Sequence, residues 1–377
     1  MHQNSRHTAV PPSCVLEINA DICCMKVDYL IVGQGLSGSF LSRYLLEAGS
    51  SILVIDEERP NTASRIASGI INPITGRRLV KTWEIDRFMP FAREAYSSWE
   101  PQIGKELIKA TSILDFPVTP QMHLSFQERA NEEPMLGYPD TPEYWRPLFN
   151  YPFPPGEIKP AYLIDIHALL DSWRNILQDR QLIREEHFDY AALKLSATGI
   201  QYRDITAEKI IFCDGASGGR IPLFSGLPFV ANKGEVIWAS IPALPADHIY
   251  KMGLSLVPWE ADVFWVGSTY EWDFEHEQPT DAFRDRVTTL LQQWLKVPFT
   301  LLEHKASLRP ANLERRPFVG VHPAYPAVGI LNGMGTKGCS LAPWFARELA
   351  DHLLFGHPIH PQADVQRFAK ILSRFNN

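Results

Sequence analysis

Gly33-Gln34-Gly35-Leu36-Ser37-Gly38 spaces three glycines as G-x-G-x-x-G. The string follows the apolar run 27–32 and opens a segment, residues 36–48, whose apolar side chains recur at helical spacing until Gly49 stops it. Strand, glycine turn and helix in that order are what a dinucleotide site needs. Gly33 permits the tight turn, Gly35 lets the backbone approach a pyrophosphate, and Gly38 lets helix and strand pack closely. The helix N-terminus supplies N–H groups and a partial positive charge for phosphates. A second apolar run, residues 52–56, ends in Asp56, which can accept hydrogen bonds from ribose hydroxyls and repels a 2′-phosphate. The other reading is a glycine turn in an unrelated α/β fold, and the string by itself does not choose between FAD and NAD.

The rest of the chain alternates in character. Prolines and aromatics cluster over residues 90–160, which predicts irregular or antiparallel structure. Helical periodicity returns at 163–180. Residues 193–213 read as a hairpin followed by a buried strand, and residues 226–305 as strands with one helix near 280–295. Residues 328–355 read as strand, glycine loop and helix.

Bulk properties narrow the function. A formal charge of −7 gives no global basic field to draw the chain to nucleic acid or anionic lipid. The five cysteines, Cys14, Cys23, Cys24, Cys213 and Cys339, are odd in number and irregular in spacing, so they predict a reducing cytoplasm and not a disulfide framework. No apolar run is long enough for a transmembrane helix. Residues 1–24 lack the order of a signal peptide and read as an irregular N-terminal extension, with Met25 the expected start. His357 and His360 lack further ligands, so no metal site is expected.

Five segments together resemble the D-amino acid oxidase superfamily, in particular its glycine oxidase and sarcosine oxidase-like members. They are the fingerprint with Asp56; Ala63-Ser64-Arg65-Ile66-Ala67-Ser68-Gly69-Ile70-Ile71; Lys209-Ile210-Ile211-Phe212-Cys213-Asp214-Gly215-Ala216-Ser217; Ser307-Leu308-Arg309-Pro310 with Pro317-Phe318-Val319-Gly320; and Gly333-Met334-Gly335-Thr336-Lys337-Gly338-Cys339-Ser340-Leu341-Ala342-Pro343. Their order and spacing fit from residue 27 almost to the end.

The resemblance implies an α/β plus α+β fold: a Rossmann-like FAD-binding domain (25–89, 162–225 and 306–377) interleaved with a substrate domain on a mainly antiparallel sheet (90–161 and 226–305). It implies non-covalent FAD, since no cysteine stands beside Arg309. The implied contacts are Gly33, Gly35, Leu36, Ser37, Gly38, Asp56, Glu57, Ser64, Arg65, Gly69, Ile70 and Ile71 early in the chain. Phe188, Asp214 and Gly215 follow, then Gly335, Thr336, Lys337, Gly338 and Cys339. Backbone donors at 335–339 would stabilise negative charge on a reduced flavin. As bare residues, Ser64 also reads as a turn serine and Phe188 as core.

In the resembling oxidases, the arginine of the string matching Ser307-Leu308-Arg309-Pro310 binds the substrate carboxylate, a task that suits a planar guanidinium. Its alternative is a structural arginine paired with an acid such as Glu314. The implied activity is oxidation of a small amine or amino acid by hydride transfer to flavin, with the electron acceptor unspecified; the flavin carries that chemistry, so no general base is assigned. Two other readings stay open: a flavin-dependent RNA-modifying enzyme of the same fold, and a flavin-binding protein without turnover. Ser255 stands where the family often has a tyrosine. Trp259, Trp265 and Tyr270 read as pocket wall or plain core. Asn72 to Trp83, including Arg77, Arg78 and Lys81, matches nothing in the amine oxidase pattern.

Overall fold

The computed structural model describes residues 25–196 and 198–375. The expectations for residues 1–24, including Cys14, Cys23 and Cys24, lie outside the described residues.

Strand Met25–Val32 lies parallel between Ile52–Ile55 and Ile205–Phe212 in an eight-stranded sheet. Both faces are covered, which is why its sequence is a near-continuous apolar run. Tyr29 and Ile31 enter one core with helices Leu36–Glu47, Ile166–Asp179 and Gly338–Phe355. Val27, Leu30 and Val32 enter a second core with Tyr202, Phe224 and Phe318. The early half of Ile205–Phe212 pairs with the hairpin strand Gly199–Tyr202, while Ile210 to Phe212 pair in parallel with Val328–Asn332. The carboxyl ends of the parallel strands therefore carry Gly33, Cys213 and Gly333 to one end of the sheet, where ligands bind in open α/β sheets.

A nine-stranded, mainly antiparallel sheet forms the second body of the molecule, with one parallel pairing between Ile108–Asp115 and His248–Met252. One face packs on helix Asp281–Trp294 through Val287, Leu291 and Trp294. The other presents Val236, Trp238 and Trp265 to Ile66, Ile74 and Leu79. Strand Ile70–Ile71 joins this sheet against Gly156–Ile164, so the chain leaving the short helix Ala63–Ile66 passes onto the second sheet. Gly156–Ile164 and Thr300–Asn312 run unbroken through positions where the sequence suggests passages between domains.

The proline-rich segment is more helical than its composition suggests. Helices Ile85–Ser97 and Pro120–Ala130 lie within or across it. Pro120 sits in the first helical turn behind the N-cap Thr119, where the missing N–H costs no hydrogen bond. Ile85–Ser97 is held by burial of Ile85, Phe88, Met89 and Tyr96, enough to tolerate Pro90 inside it. The stretch that matched no pattern forms a small hairpin, Ile74–Thr75 with Val80–Lys81. Leu79 is buried beneath it, Lys81 pairs with Asp86 at 3.0 Å, and Arg77 and Arg78 are exposed at its tip.

Candidate active site

The glycine turn is built by close approaches that exclude side chains. Gly33 has φ +100°, and a Cβ there would lie 2.6 Å from the Cys213 carbonyl oxygen. A Cβ on Gly38 would lie 1.9 Å from the Gly33 oxygen. A Cβ on Gly35 would sit 3.0 Å from Ser64 Oγ, in the space a phosphate needs. Gly35 caps helix Leu36–Glu47 with no side-chain cap and no acid in the first turn. Leu36 N–H donates to Ser64 Oγ at 3.2 Å, whereas the N–H groups of Ser37 and Gly38 meet no acceptor among the described residues. Unpaired donors at a helix N-terminus beside a hydroxyl suit a pyrophosphate.

Asp56 is oriented by groups that sequence reasoning did not find. Its carboxylate accepts from Gln34 N–H at 2.8 Å, from Glu58 N–H at 2.9 Å and from Arg174 Nη1 at 2.9 Å. Arg174 is buried on Ile166–Asp179 and also donates to the Gln34 side-chain oxygen at 3.2 Å. It fixes the acid while leaving one acceptor site, on Oδ2, for a ribose hydroxyl. Glu57 points elsewhere, pairing with Arg59 at 2.6 Å and His187 at 3.0 Å. The Phe188 ring stacks on Tyr202 at 4.6 Å and packs on the core, so any cofactor contact there falls to its backbone. Arg65 is committed to Asp171. Gly69 is required by strand packing, since a Cβ would lie 2.2 Å from the Ile164 oxygen, and it leads into Ile70 and Ile71.

Asp214 and Gly215 follow Cys213 at the turn and are tied to Asn332, whose Nδ2 donates to Asp214 Oδ1 at 3.1 Å and to the Gly215 oxygen at 2.9 Å. The Asp214 carboxyl keeps a solvent-facing edge, yet surrounding protein desolvates it and pushes its pKa up to about 7. The folded state therefore holds this proton more tightly than the unfolded chain. Its stabilising effect is fully present below the unfolded value of 3.8 and is lost as pH rises toward 7. Asp214→Asn is expected to remove that loss and raise apoprotein stability at pH 8 relative to pH 4 by on the order of 1–3 kcal/mol, the exposed edge keeping the gain low in the range. Urea unfolding at the two pH values measures it, and equal slopes in both proteins would refute it.

The last glycine loop meets the first. A Cβ on Gly338 would lie 3.6 Å from Leu36 Cδ1. Gly335 (φ +58°) donates its N–H to the Pro310 oxygen at 3.0 Å, tying the loop to the arginine strand. Helix Gly338–Phe355 has no side-chain cap and no acid in its first turn, and the N–H groups of Thr336 and Gly338 meet no acceptor among the described residues. Desolvation, then Arg316 and Arg315, lower the Lys337 pKa, and its ammonium has no salt-bridge partner among the described residues. Burial pushes the Cys339 thiol up to about 12, so it is neutral and not a nucleophile.

Arg309 lies on Thr300–Asn312 opposite Asn232, and its guanidinium occupies the space above Gly234, where a Cβ would lie 1.9 Å from Nη2. Nη1 donates to Asn232 Oδ1 at 2.6 Å and to the Thr269 oxygen at 3.0 Å; Nη2 donates to Ser268 Oγ at 2.7 Å. These partners are neutral. The suggested partner Glu314 instead pairs with Arg367 at 3.1 Å. Arg309 is thus a desolvated cation, its pKa lowered by burial, with no salt bridge among the described residues. Its bonds to these partners run from Nη1 and once from Nη2, so Nε–H and one Nη2–H have no acceptor among the described residues, and the Nε–Nη2 edge is one that can meet a carboxylate. Gly234→Ala is expected to displace this guanidinium and lower kcat/KM for a carboxylate substrate by about tenfold to a hundredfold, through overpacking on the order of 1–3 kcal/mol. Unchanged steady-state kinetics would show the space is not needed.

The comparisons with known proteins agree with this geometry. A model of DAO, the FAD dependent oxidoreductase family, matches residues 28–352. The chain belongs to the DAO family of FAD-dependent oxidoreductases. It is 24% identical over 374 residues to a glycine oxidase of Pseudomonas aeruginosa, covering 89% of this chain and 97% of the relative. It is 27% identical over 204 residues to the tRNA 5-methylaminomethyl-2-thiouridine biosynthesis bifunctional protein MnmC of Caulobacter sp., covering 52% of this chain and 32% of that protein. Its fold matches glycine oxidase from Geobacillus kaustophilus with a TM-score of 0.74 at 16% identity, over 92% of this chain and 98% of the other. The mixed α/β fold and the FAD-dependent oxidoreductase class inferred from the sequence both hold. Among the described residues no helix is long and apolar enough to cross a membrane.

Proposed function

We propose that this protein oxidises the C–N bond of a small amino acid or related amine carrying a carboxylate. The observation that carries this reading is the Arg309 guanidinium: desolvated, held by neutral acceptors, with one N–H on Nε and one on Nη2 left open. FAD, when bound, accepts the hydride released from the substrate carbon. The cradle fits it: Gly33, Gly35, Ser37, Gly38 and Ser64 would hold the pyrophosphate, Asp56 the ribose, and Thr336, Lys337, Gly338 and Cys339 the pyrimidine edge. Attachment is non-covalent, which the neutral, buried thiols of Cys213 and Cys339 support. The rest of the chain's task is positional. Arg309 fixes the carboxylate, and the indole of Trp265, locked by its Nε1 bond to the Ile66 oxygen at 2.8 Å, closes the sheet side.

The test is anaerobic titration of the FAD-loaded protein with amino acids, N-methyl amino acids and the corresponding amines lacking a carboxylate. Bleaching near ~450 nm by the carboxylates and not by the amines is the expected result. Bleaching by both alike would remove Arg309 from substrate binding. The partial match to the tRNA-modification protein favours a second reading, an amine borne on a nucleoside, with exposed Arg77 and Arg78 toward phosphate. Retention of tRNA at physiological salt would support it.

A further inference from the structure

We propose that the substrate carries a large apolar or aromatic group, held on Tyr270 and Trp272, beside the carboxylate bound by Arg309. The inference rests on the carboxylate reading of Arg309 and gives it a direction. On the sheet side of the guanidinium the strands pack closely. A Cβ on Gly267 would already lie 2.8 Å from the Trp265 ring and 3.0 Å from Val236 Cγ1, and that ring is pinned to the Ile66 oxygen. Gly234 gives its space to the guanidinium itself. The remaining direction is along the chain leaving Ser268.

That chain is sorted by one backbone pairing. Lys233 and Glu271 exchange hydrogen bonds at 2.9 and 3.0 Å. Glu271 Oε2 turns to the buried Lys233 ammonium, 3.7 Å away, which also pairs with the fully buried Glu235 at 3.1 Å. Its neighbour Tyr270 points to the opposite side, where the Arg309 guanidinium carbon lies 4.7 Å from the ring centre. Trp272 follows in the bend that leaves Glu271. Both rings are largely in water, Tyr270 60% and Trp272 54% exposed. A flat apolar group anchored by its carboxylate at the fork would cover them. The same stretch carries Asp273 and Glu275, which would repel a second carboxylate on the substrate. Ser255, where the family often has a tyrosine, lies on Leu254–Glu260; Tyr270 supplies an aromatic at the arginine from a different segment.

The experiment measures kcat/KM for flavin reduction in the FAD-loaded protein with glycine, sarcosine, aspartate, leucine, phenylalanine and N-benzylglycine, testing both enantiomers where they exist. Leucine, phenylalanine or N-benzylglycine is expected to exceed glycine and sarcosine at least tenfold. Phenylalanine against N-benzylglycine tells whether the group sits on carbon or nitrogen. In Trp272→Ala the ratio of large to small substrates should fall at least tenfold, and in Tyr270→Ala likewise. A preference for glycine, sarcosine or aspartate would overturn the proposal, as would an unchanged ratio in both variants. A binding readout independent of turnover, the flavin absorbance shift with phenylacetate and with acetate, should give at least tenfold tighter binding of phenylacetate; equal affinities would also overturn it. Phenethylamine reducing flavin as fast as phenylalanine would instead refute the carboxylate reading while leaving the aromatic preference measurable.

Discussion

Arg309→Leu is expected to lower kcat/KM for a carboxylate substrate by roughly 10²- to 10³-fold, while FAD content and the flavin spectrum stay unchanged. Removing one partner of a hydrogen-bonded, desolvated charge pair costs about 2–5 kcal/mol, and about 1.4 kcal/mol is tenfold. The sign follows from what surrounds the side chain. Asn232, Thr269 and Ser268 hold the guanidinium but do not neutralise it. On the proposed reading, the substrate carboxylate would supply that missing charge. The variant also leaves Asn232 Oδ1 without its 2.6 Å donor, so Arg309→Lys is the companion measurement. Lysine keeps the charge but cannot fork, and should give an intermediate loss. Stopped-flow reduction with the acid and with its decarboxylated amine separates the two effects. Equal losses for both compounds would mean that Arg309 supports the sheet and does not bind substrate.

Gly38→Val is expected to abolish stable FAD binding. The nearest atom to the new Cβ is the Gly33 carbonyl oxygen at 1.9 Å, with the Gly33 carbon at 3.0 Å and Cys213 Cβ at 3.4 Å. The first two are backbone atoms of the turn itself, so relief requires helix Leu36–Glu47 to move off the sheet, carrying its N-terminal donors away from the phosphates. Overpacking of this kind costs about 1–3 kcal/mol or more in stability, and the loss of geometry at the turn adds to it. The purified variant should carry less than a tenth of the wild-type FAD and bind added FAD at least about a hundredfold more weakly. Gly49→Ala is the control. Its φ is +86°, but nothing lies within 4 Å of the added Cβ. Only backbone strain of about 1 kcal/mol remains, and FAD should be retained. FAD bound stoichiometrically by Gly38→Val would mean that helix and strand are not held at the observed distance by that residue.

The dinucleotide turn was legible because its requirements are local. Gly33, Gly35 and Gly38 lie within six residues, and a strand before and a helix after leave periodic signatures in neighbouring side chains. Asp56 and the 335–339 loop were legible in the same way, each at the end of a short apolar strand. Arg309 could be singled out by its string, but its open N–H groups could not, because its partners Asn232 and Ser268 lie 77 and 41 residues away and are ordinary polar residues in sequence. Gly234 reads as a plain strand glycine until the guanidinium is seen in its missing side chain's place. Arg174 lies 118 residues from Asp56 on a helix whose periodicity announces only an amphipathic face. The helices in the proline-rich stretch escaped notice because burial of Phe88 and Tyr96 outweighs composition there. Residue type and short-range spacing thus determined the glycine turn and singled out Arg309. Strand register across the second sheet decided which neutral groups hold that arginine, which of its N–H groups stay open, and that Tyr270 faces it while Glu271 turns away, since such pairings arise only when segments distant in sequence are brought side by side.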